Sequence, residues 1–214
     1  MIDAATLAGK NWSALRREAL AFAADPPADA FELAVRWSRH PAWEVRFFAV
    51  VVLGKLAARD DRALAYLYDT CGQDEAWQVN EALAMAFDDY CAATGYERAL
   101  PELRRWLAAP SPNLRRAVSE GLRPWTAAKR APFARDPRLA IELLGTLRDD
   151  PSRYVQESVG NALRDIGRKH PEFVIAALRA WIAEEPASPA RRTIARHALE
   201  RAVKRDPALR ALYE

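Results

Sequence analysis

The chain has 214 residues, of which 50% are hydrophobic and 29% charged, and it carries a net charge of +3 with a sequence pI of about 9.0. A chain of this length and composition can bury a core, either as one domain or as a short repeat array. Its two cysteines argue against a disulfide scaffold, and it has neither an 18-residue apolar run nor a basic leader, so we expect a cytoplasmic protein with no membrane partner.

The first forty residues predict two helices. Residues 11–24 place apolar side chains at helical spacing, and Asp25-Pro26-Pro27 ends this helix because the residue before a proline is disfavoured in the helical conformation. Residues 28–38 form the second predicted helix, with Phe31 and Trp37 among its apolar positions.

A nine-residue pattern then recurs five times. In every copy the residues three, four and seven positions after the first are apolar or small, which is the spacing that buries one face of a helix. The windows are Val45–Leu53, Val79–Phe87, Leu114–Leu122, Val155–Leu163 and Arg191–Leu199. Ser111-Pro112, Asp150-Pro151 and Ser188-Pro189 precede three of them, and a capping residue followed by proline is a start signal for a helix.

Further helices are predicted between the windows, at residues 60–71, 95–108, 136–148 and 169–184. The window starts are 34, 35, 41 and 36 residues apart, and helix pairs at this period are typical of HEAT and TPR repeats. We therefore predict an all-α fold, a right-handed α-solenoid of HEAT-like helix-pair repeats with a concave basic groove. Residues 1–214 are expected to form a single domain, with repeats near 28–57, 58–92, 95–126, 136–168 and 169–205.

The second helix of each pair should line the concave side of such a solenoid, where its unburied side chains would meet a ligand. Two and nine positions after each window start, these residues are Phe47 and Gly54, Glu81 and Asp88, Arg116 and Arg123, Glu157 and Arg164, and Thr193 and Glu200. Arginines on this face, with aromatic edges at Trp43, Trp77, Trp125 and Tyr154, would suit a nucleic-acid backbone.

Two plainer interpretations stay open. Charged residues on helix faces are often only a solvated surface with weak ion pairs. Trp43 and Trp77 stand at equivalent places in two repeats, so packing between repeats would also explain them.

Three segments carry a resemblance to a known family. They are Trp77–Tyr90 (WQVNEALAMAFDDY), Asn113–Trp125 (NLRRAVSEGLRPW) and Tyr154–Ile166 (YVQESVGNALRDI). These segments resemble the DNA alkylation repair family, whose known members are the AlkC and AlkD types of HEAT-like-repeat DNA glycosylase. The Arg-Arg-x-x-x-Glu-Gly-x-Arg-Pro stretch is closest to the AlkC type, and the Trp-x-x-x-acid helix is similar to that of the AlkD type. The resemblance covers roughly residues 35–185.

The resemblance implies a DNA repair enzyme that binds duplex DNA in its concave groove and hydrolyses the N-glycosidic bond of N3- or N7-alkylated purines. It implies that Trp77 packs against the deoxyribose of the lesion, that Glu81 is the catalytic carboxylate, and that Arg116 holds the DNA backbone. Further DNA contacts are expected from Arg115, Arg123, Arg164, Lys129, Arg130, Asn161 and Trp125. We expect a monomer that needs no cofactor or metal.

The chain departs from the family pattern at two positions. Glu81 stands where the family has an aspartate, and Asn161, after Gly160, stands where AlkD-type members carry a second aromatic residue. Asn161, together with a pattern that is specific only at the level of the fold, favours an alternative, a non-catalytic HEAT-like scaffold that binds DNA structures or a protein partner. The sequence leaves both functions open.

Overall fold

The structure is a computed structural model that describes residues 6–123, 136–184 and 188–214. The regular structure in these ranges is entirely helical, so the predicted all-α class is confirmed. The α-helices are α1 (Trp12–Ala24), α2 (Ala30–Trp37), α3 (Trp43–Leu56), α4 (Asp61–Asp69), α5 (Trp77–Thr94), α6 (Tyr96–Leu107), α7 (Pro112–Gly121), α8 (Arg138–Gly145), α9 (Arg153–Ile166), α10 (Pro171–Ala183) and α11 (Pro189–Leu199). Each predicted helix is present, and its ends differ from the prediction by a few residues. Short 3-10 helices lie at Cys71–Gln73, Ala202–Lys204 and Pro207–Leu212.

The chain divides into two compact units, Met1–Ala99 and Leu100–Glu214, and the division falls inside α6. Each unit has its own buried core, described separately below. The expected single domain of residues 1–214 stays a prediction.

Serine residues cap two helices as predicted. The Ser111 hydroxyl accepts from the Asn113 N–H at 3.3 Å before α7, and the Ser188 hydroxyl accepts from the Arg191 N–H at 3.4 Å before α11. Each hydroxyl satisfies one of the backbone donors that a helix start leaves without a partner.

The prediction that Asp150 caps α9 is wrong. The N-cap is Ser152, and the carboxylate of Asp150, two residues before this N-cap, accepts from the Ser152 N–H at 2.9 Å. Arg115 holds the same carboxylate, so Asp150 shapes the turn that leads into α9.

The core of the first unit is built around α3, which packs against α1, α2, α4 and α5. Neighbours on all these sides bury α3 almost completely, and the Phe47 side chain is 0% exposed. The prediction that Phe47 and Gly54 face a ligand is therefore wrong. Gly54 is needed for packing, because a Cβ at this position would lie 2.5 Å from the Cβ of Ala86 on α5.

Three helices of the first unit run parallel. Arg46 near the start of α3 pairs with Asp74 just before α5, and Lys55 near its end pairs with Asp89 late in α5. The Gly9 N–H before α1 donates to Glu44 at 3.2 Å, and Arg59 after α3 donates to the Ala23 carbonyl at 3.2 Å. The starts of α1, α3 and α5 therefore lie at one end of the unit, and each helix begins with a tryptophan: Trp12, Trp43 and Trp77.

In the second unit, α9 packs against both α7 and α11. A Cβ at Gly160 would lie 2.4 Å from the Cβ of His197 and 3.0 Å from the Ile194 carbonyl oxygen, so α9 and α11 approach closely where α9 has no side chain. Elsewhere in this unit Trp106 and Leu103 of α6 are fully or almost fully buried. Across residues 6–123, 136–184 and 188–214, no helix has both the length and the apolar composition that crossing a bilayer requires.

Candidate functional site

Trp77 is the most exposed large hydrophobic side chain among the described residues, at 63%. It is the first residue of α5 and follows an extended Ala76. The turn before it is held by Asp74, whose carboxylate accepts from the Ala76 N–H at 2.8 Å and pairs with Arg46 at 2.6 Å. Packing between repeats therefore does not explain Trp77. Trp43 is half-buried, and its ring lies edge-on to that of Phe47, one turn later on the same helix α3.

Glu81 lies one helical turn after Trp77 on α5 and is half-buried. Residues four apart on a helix share one face, so the indole and the carboxylate lie along the same edge of α5. The opposite face is apolar and buried, as its spacing predicts, through Val79, Ala82, Leu83, Ala86 and Phe87. An exposed ring thus lies one helical turn before an acid, on a side of α5 that faces away from its buried stripe.

Asp88, also predicted to face a ligand, has a structural contact. Its carboxylate accepts a hydrogen bond from the Tyr96 hydroxyl, which joins the end of α5 to the start of α6. Burial and the neighbouring Asp88 charge raise the pKa of Tyr96 well above its usual value, so this phenol stays protonated as the donor.

Arg116, on α7, is only 8% exposed, so the prediction that it is an unburied position is wrong. Its guanidinium carbon lies 4.5 Å from the ring centroid of Tyr154, and its Nη2 lies 3.7 Å from the Glu120 carboxylate. A planar cation between a ring face and a carboxylate has few orientations open to it. Arg116 is therefore a positioned cation with little solvent contact.

A polar network surrounds this cation and joins α7 to α9. Ser119 and Ser158, both buried, share a 2.6 Å hydrogen bond, and Ser158 also donates to Glu120 at 2.7 Å. Arg123 donates to Glu120 at 2.6 Å and to Asp165 at 2.7 Å. Burial lowers the pKa of Arg123, but the charges of Glu120 and Asp165 outweigh burial, and the net shift is upward.

Ser158 is not among the predicted site residues. Ser158 occupies a window position that is apolar in all four other windows, and a hydroxyl at a buried position needs a partner. That mismatch is the sequence signal for the α7–α9 network.

Arg115 is predicted to bind DNA, but the structure uses its guanidinium inside the protein. It donates to both oxygens of Asp150, at 2.6 and 3.0 Å, and its Nη1 donates to the carbonyls of Ala109 and Pro110, each at 2.8 Å. Four donors are thus occupied, which favours a structural role for Arg115 over a DNA contact.

An equivalent set of four arginine hydrogen bonds occurs in the first unit. Arg46 donates to both oxygens of Asp74, and its Nη1 donates to the carbonyls of His40 and Pro41. In both units the arginine is the second residue of its window. Arg46 thereby fixes the turn before α5, and Arg115 fixes the turn before α9.

The remaining predicted DNA contacts have different surroundings. Arg164 pairs with Glu200 at 2.9 Å, and Asn161 is half-buried on α9. Trp125, Lys129 and Arg130 lie outside the described residues.

Comparisons with known proteins agree with the resemblance seen in the sequence. A family model described as DNA alkylation repair enzyme matches residues 1–204. The crystal structure of AlkD2 from Streptococcus mutans is 33% identical, with a TM-score of 0.81, and the match covers 92% of each chain. The alkylpurine DNA glycosylase AlkC of Pseudomonas fluorescens, bound to DNA containing an abasic site analog, is 26% identical, with a TM-score of 0.71, over 92% of this chain and 55% of that one.

A curated relative, the uncharacterized protein YhaZ of Bacillus subtilis, is 33% identical over 94 residues, which are 42% of this chain. The match spans about a quarter of that relative's length, 26%. With the solved structures, the predicted class of HEAT-like helix pairs is confirmed.

Proposed function

The chain belongs to the DNA alkylation repair enzyme family, and we propose that it is a DNA glycosylase that binds duplex DNA and excises N3- or N7-alkylated purines. In this proposal Trp77 and Glu81 act on the lesion, and Arg116 contacts the DNA backbone. A cytoplasmic monomer without a cofactor belongs to the same proposal.

The exposure of Trp77 one helical turn before Glu81 supports this proposal most. At 63% exposure, most of the indole surface is available to a ligand. The ring offers a flat face to a sugar, and the carboxylate beside it offers a negative charge. AlkC, solved with DNA that contains an abasic site analog, is a related alkylpurine DNA glycosylase.

The chemistry needs little beyond these two groups. An alkylated purine is cationic, so when its bond to C1′ breaks, the electron pair leaves with the base, which departs neutral. The sugar is left as an oxocarbenium ion. Glu81 stabilises that charge and positions water, which adds to C1′ and loses a proton. The electron-rich indole face of Trp77 stabilises the same cation by about 1–2 kcal/mol when water is excluded.

The test measures release of 7-methylguanine and 3-methyladenine from methylated duplex DNA under single-turnover conditions. We expect Glu81→Gln to lower the rate by about 10²- to 10³-fold, because it removes the charge that stabilises the cationic sugar. Glu157→Gln is the matched control, since Glu157 is a half-buried glutamate at the same window position of another repeat.

Two outcomes of this test are informative beyond the rate. Wild-type protein that releases no more base than Glu81→Gln would end the enzymatic proposal. The excision rate of Glu81→Asp, compared with that of the wild type, tests whether the site requires the longer side chain of glutamate. A carboxylate displaced by about 1 Å can cost on the order of 10²-fold in rate.

A scaffold that binds DNA without excising a base is the second candidate function. Asn161 favours it, because it stands where AlkD-type members carry an aromatic residue and therefore offers no ring to the lesion. Duplex binding with a steep salt dependence, and no release of alkylated purine, would select this function.

A further inference from the structure

Four of the arginines predicted to bind DNA have carboxylate partners, and the fifth, Arg130, lies outside the described residues. Arg115 lies 2.6 Å from Asp150, Arg123 lies 2.6 Å from Glu120, and the pairs of Arg116 and Arg164 measure 3.7 and 2.9 Å. A guanidinium paired in this way must share or leave its carboxylate before it can neutralise a phosphate. These arginines are therefore weak sources of the counterion release that drives binding to DNA.

Unpaired positive charge is concentrated elsewhere, in a stretch that we call the basic segment (residues 192–210). It contains six Lys or Arg and two Asp or Glu, a net charge of +4. Since the whole chain carries +3, the other 195 residues have a net charge of −1. The six cations are Arg192, Arg196, Arg201, Lys204, Arg205 and Arg210, and all are exposed.

The basic segment is folded onto the second unit. Leu209, in the 3-10 helix Pro207–Leu212, is 5% exposed and anchors this stretch, which packs against α10 and α11. Arg192 donates to the Glu214 carbonyl at 3.5 Å, and the Arg196 guanidinium carbon lies 5.9 Å from the Tyr213 ring centroid. The cations are therefore held on an ordered surface, which reduces the entropy lost when a ligand binds.

Four of these cations have no internal partner within residues 6–123, 136–184 and 188–214. The side chains of Arg201, Lys204, Arg205 and Arg210 form no ion pair or hydrogen bond with any residue that the structure describes. Arg205 and Arg210 also lie beyond residue 204, where the match to the family model ends.

We propose that the basic segment binds the phosphate backbone of duplex DNA. These residues are different from those that act on the lesion. The inference rests on the proposed function only in taking DNA as the partner. Duplex DNA carries one negative charge per ~1.7 Å of its axis, so exposed cations that lie within ten residues of one another in a folded segment can meet several phosphates. Each such contact contributes affinity without reading sequence or damage.

The test uses two variants of the full chain with equal loss of charge. The first neutralises the unpaired cations of the basic segment through Arg201→Gln, Lys204→Gln, Arg205→Gln and Arg210→Gln. The control carries Arg36→Gln, Arg104→Gln, Lys169→Gln and Arg179→Gln, which also removes three arginines and one lysine that are exposed and without an ion pair in the described ranges. Both variants change only exposed side chains, and thermal unfolding checks that each remains folded.

Affinity for an unmodified duplex is measured from about 50 to 200 mM salt. We expect the basic-segment variant to lower the slope of log affinity against log salt by about 3 to 4, at ~0.9 for each lost phosphate contact, and the control to keep the wild-type slope. Lys204→Gln with Arg205→Gln alone should lower the slope by about 2. Equal salt slopes for both fourfold variants would overturn the proposal. It would also be overturned if the basic-segment variant kept the wild-type salt slope for duplex DNA but lost binding to vesicles of an anionic lipid.

Excision assays separate this inference from the proposed function. At saturating DNA the basic-segment variant should keep the wild-type single-turnover rate, whereas Glu81→Gln should keep the wild-type salt slope and lose the rate. A slope lowered only by the basic-segment variant supports the inference even if the wild type releases no base, an outcome that would end the proposed function.

Discussion

The two compact units hold their candidate residues in opposite ways. In the first unit, Trp77 and Glu81 stand on a helix whose other face is apolar, and the indole is 63% exposed. In the second unit, Arg116 is 8% exposed and lies between the Tyr154 ring and Glu120. One unit offers an open ring, and the other holds a charge that is already oriented and partly neutralised.

The two units thus show two different ways in which a side chain can contribute to ligand binding, by its exposed area or by its fixed orientation. An exposed indole gains contact area when a ligand covers it, so its contribution comes from binding itself. A buried guanidinium gains little area, and it contributes by being in one orientation before the ligand arrives. Variants that remove an exposed ring, or a group that orients or neutralises a cation, should therefore have different effects on stability, rate and affinity. The largest expected effect comes first.

Asp150→Ala should destabilise the protein by about 3–5 kcal/mol, because it leaves the Arg115 guanidinium buried without its carboxylate. The equivalent change in the first unit, Asp74→Ala, should cost less, since the Asp74 side chain is 12% exposed and that of Asp150 is 3%. Urea unfolding of the purified variants measures both. Asp136→Ala is the control, because its pair with Arg138 lies at the surface, with side chains 47% and 72% exposed, and should contribute little. A larger loss for Asp74→Ala would reverse the comparison.

Trp77→Ala should lower the single-turnover excision rate about tenfold, which corresponds to the 1–2 kcal/mol that a ring face contributes beside a desolvated cation. Trp12→Ala is the matched control, because Trp12 is also the first residue of its helix and is 53% exposed. Both variants should unfold at the wild-type temperature, since neither ring is part of the core. Equal rates for the two variants would show that the Trp77 ring does not contact the substrate.

Tyr154→Leu should raise the DNA concentration that half-saturates excision by about 2- to 30-fold, because Arg116 loses the ring that orients it, a contact worth about 0.5–2 kcal/mol. Tyr154→Phe keeps the ring and should behave as the wild type. Phe173→Leu removes an equally exposed ring of the same unit and serves as the control. If Phe and Leu at position 154 were equally impaired, the hydroxyl, not the ring, would be the functional group.

The smallest effect concerns acid stability in the second unit. The Arg191 guanidinium, hydrogen-bonded at 2.7 Å, holds the pKa of Asp149 below its usual value. A carboxyl whose folded pKa is lowered stabilises the protein above its unfolded pKa of about 4, and that stability disappears as the pH falls through the folded value. Asp149→Asn should therefore be slightly less stable than the wild type at pH 7 and equally stable near pH 2. A difference in melting temperature that is constant over this range would contradict the pairing.

Helix positions followed directly from the sequence. Apolar side chains at helical spacing identify a buried face whatever it packs against, and the windows around Val79 and Val155 lie inside α5 and α9 as predicted. Ser111 and Ser188 cap their helices because the capping hydroxyl acts on backbone only two or three residues away. Asp150 does not cap α9, because a residue 35 positions earlier, Arg115, holds it before the helix.

Exposure of the site residues did not follow from the sequence in the same way. Phe47 and Arg116 stand at the window position of Glu81, yet Phe47 is enclosed by four helices and Arg116 by a ring and a carboxylate. The basic segment was missed because its cations fall largely outside the window positions, and only the coordinates show which arginines lack an acidic partner.

The sequence by itself determined the helices, their pairing into repeats and the family. These depend on the spacing of residues within about a dozen positions and on short motifs, which can be recognised without knowing the tertiary contacts. The tertiary structure decided which side chains are available to a ligand, because burial and ion pairing depend on groups that are far apart in the chain. Trp77 and the basic segment are exposed for that reason, and Arg115 and Arg116 are enclosed for the same reason.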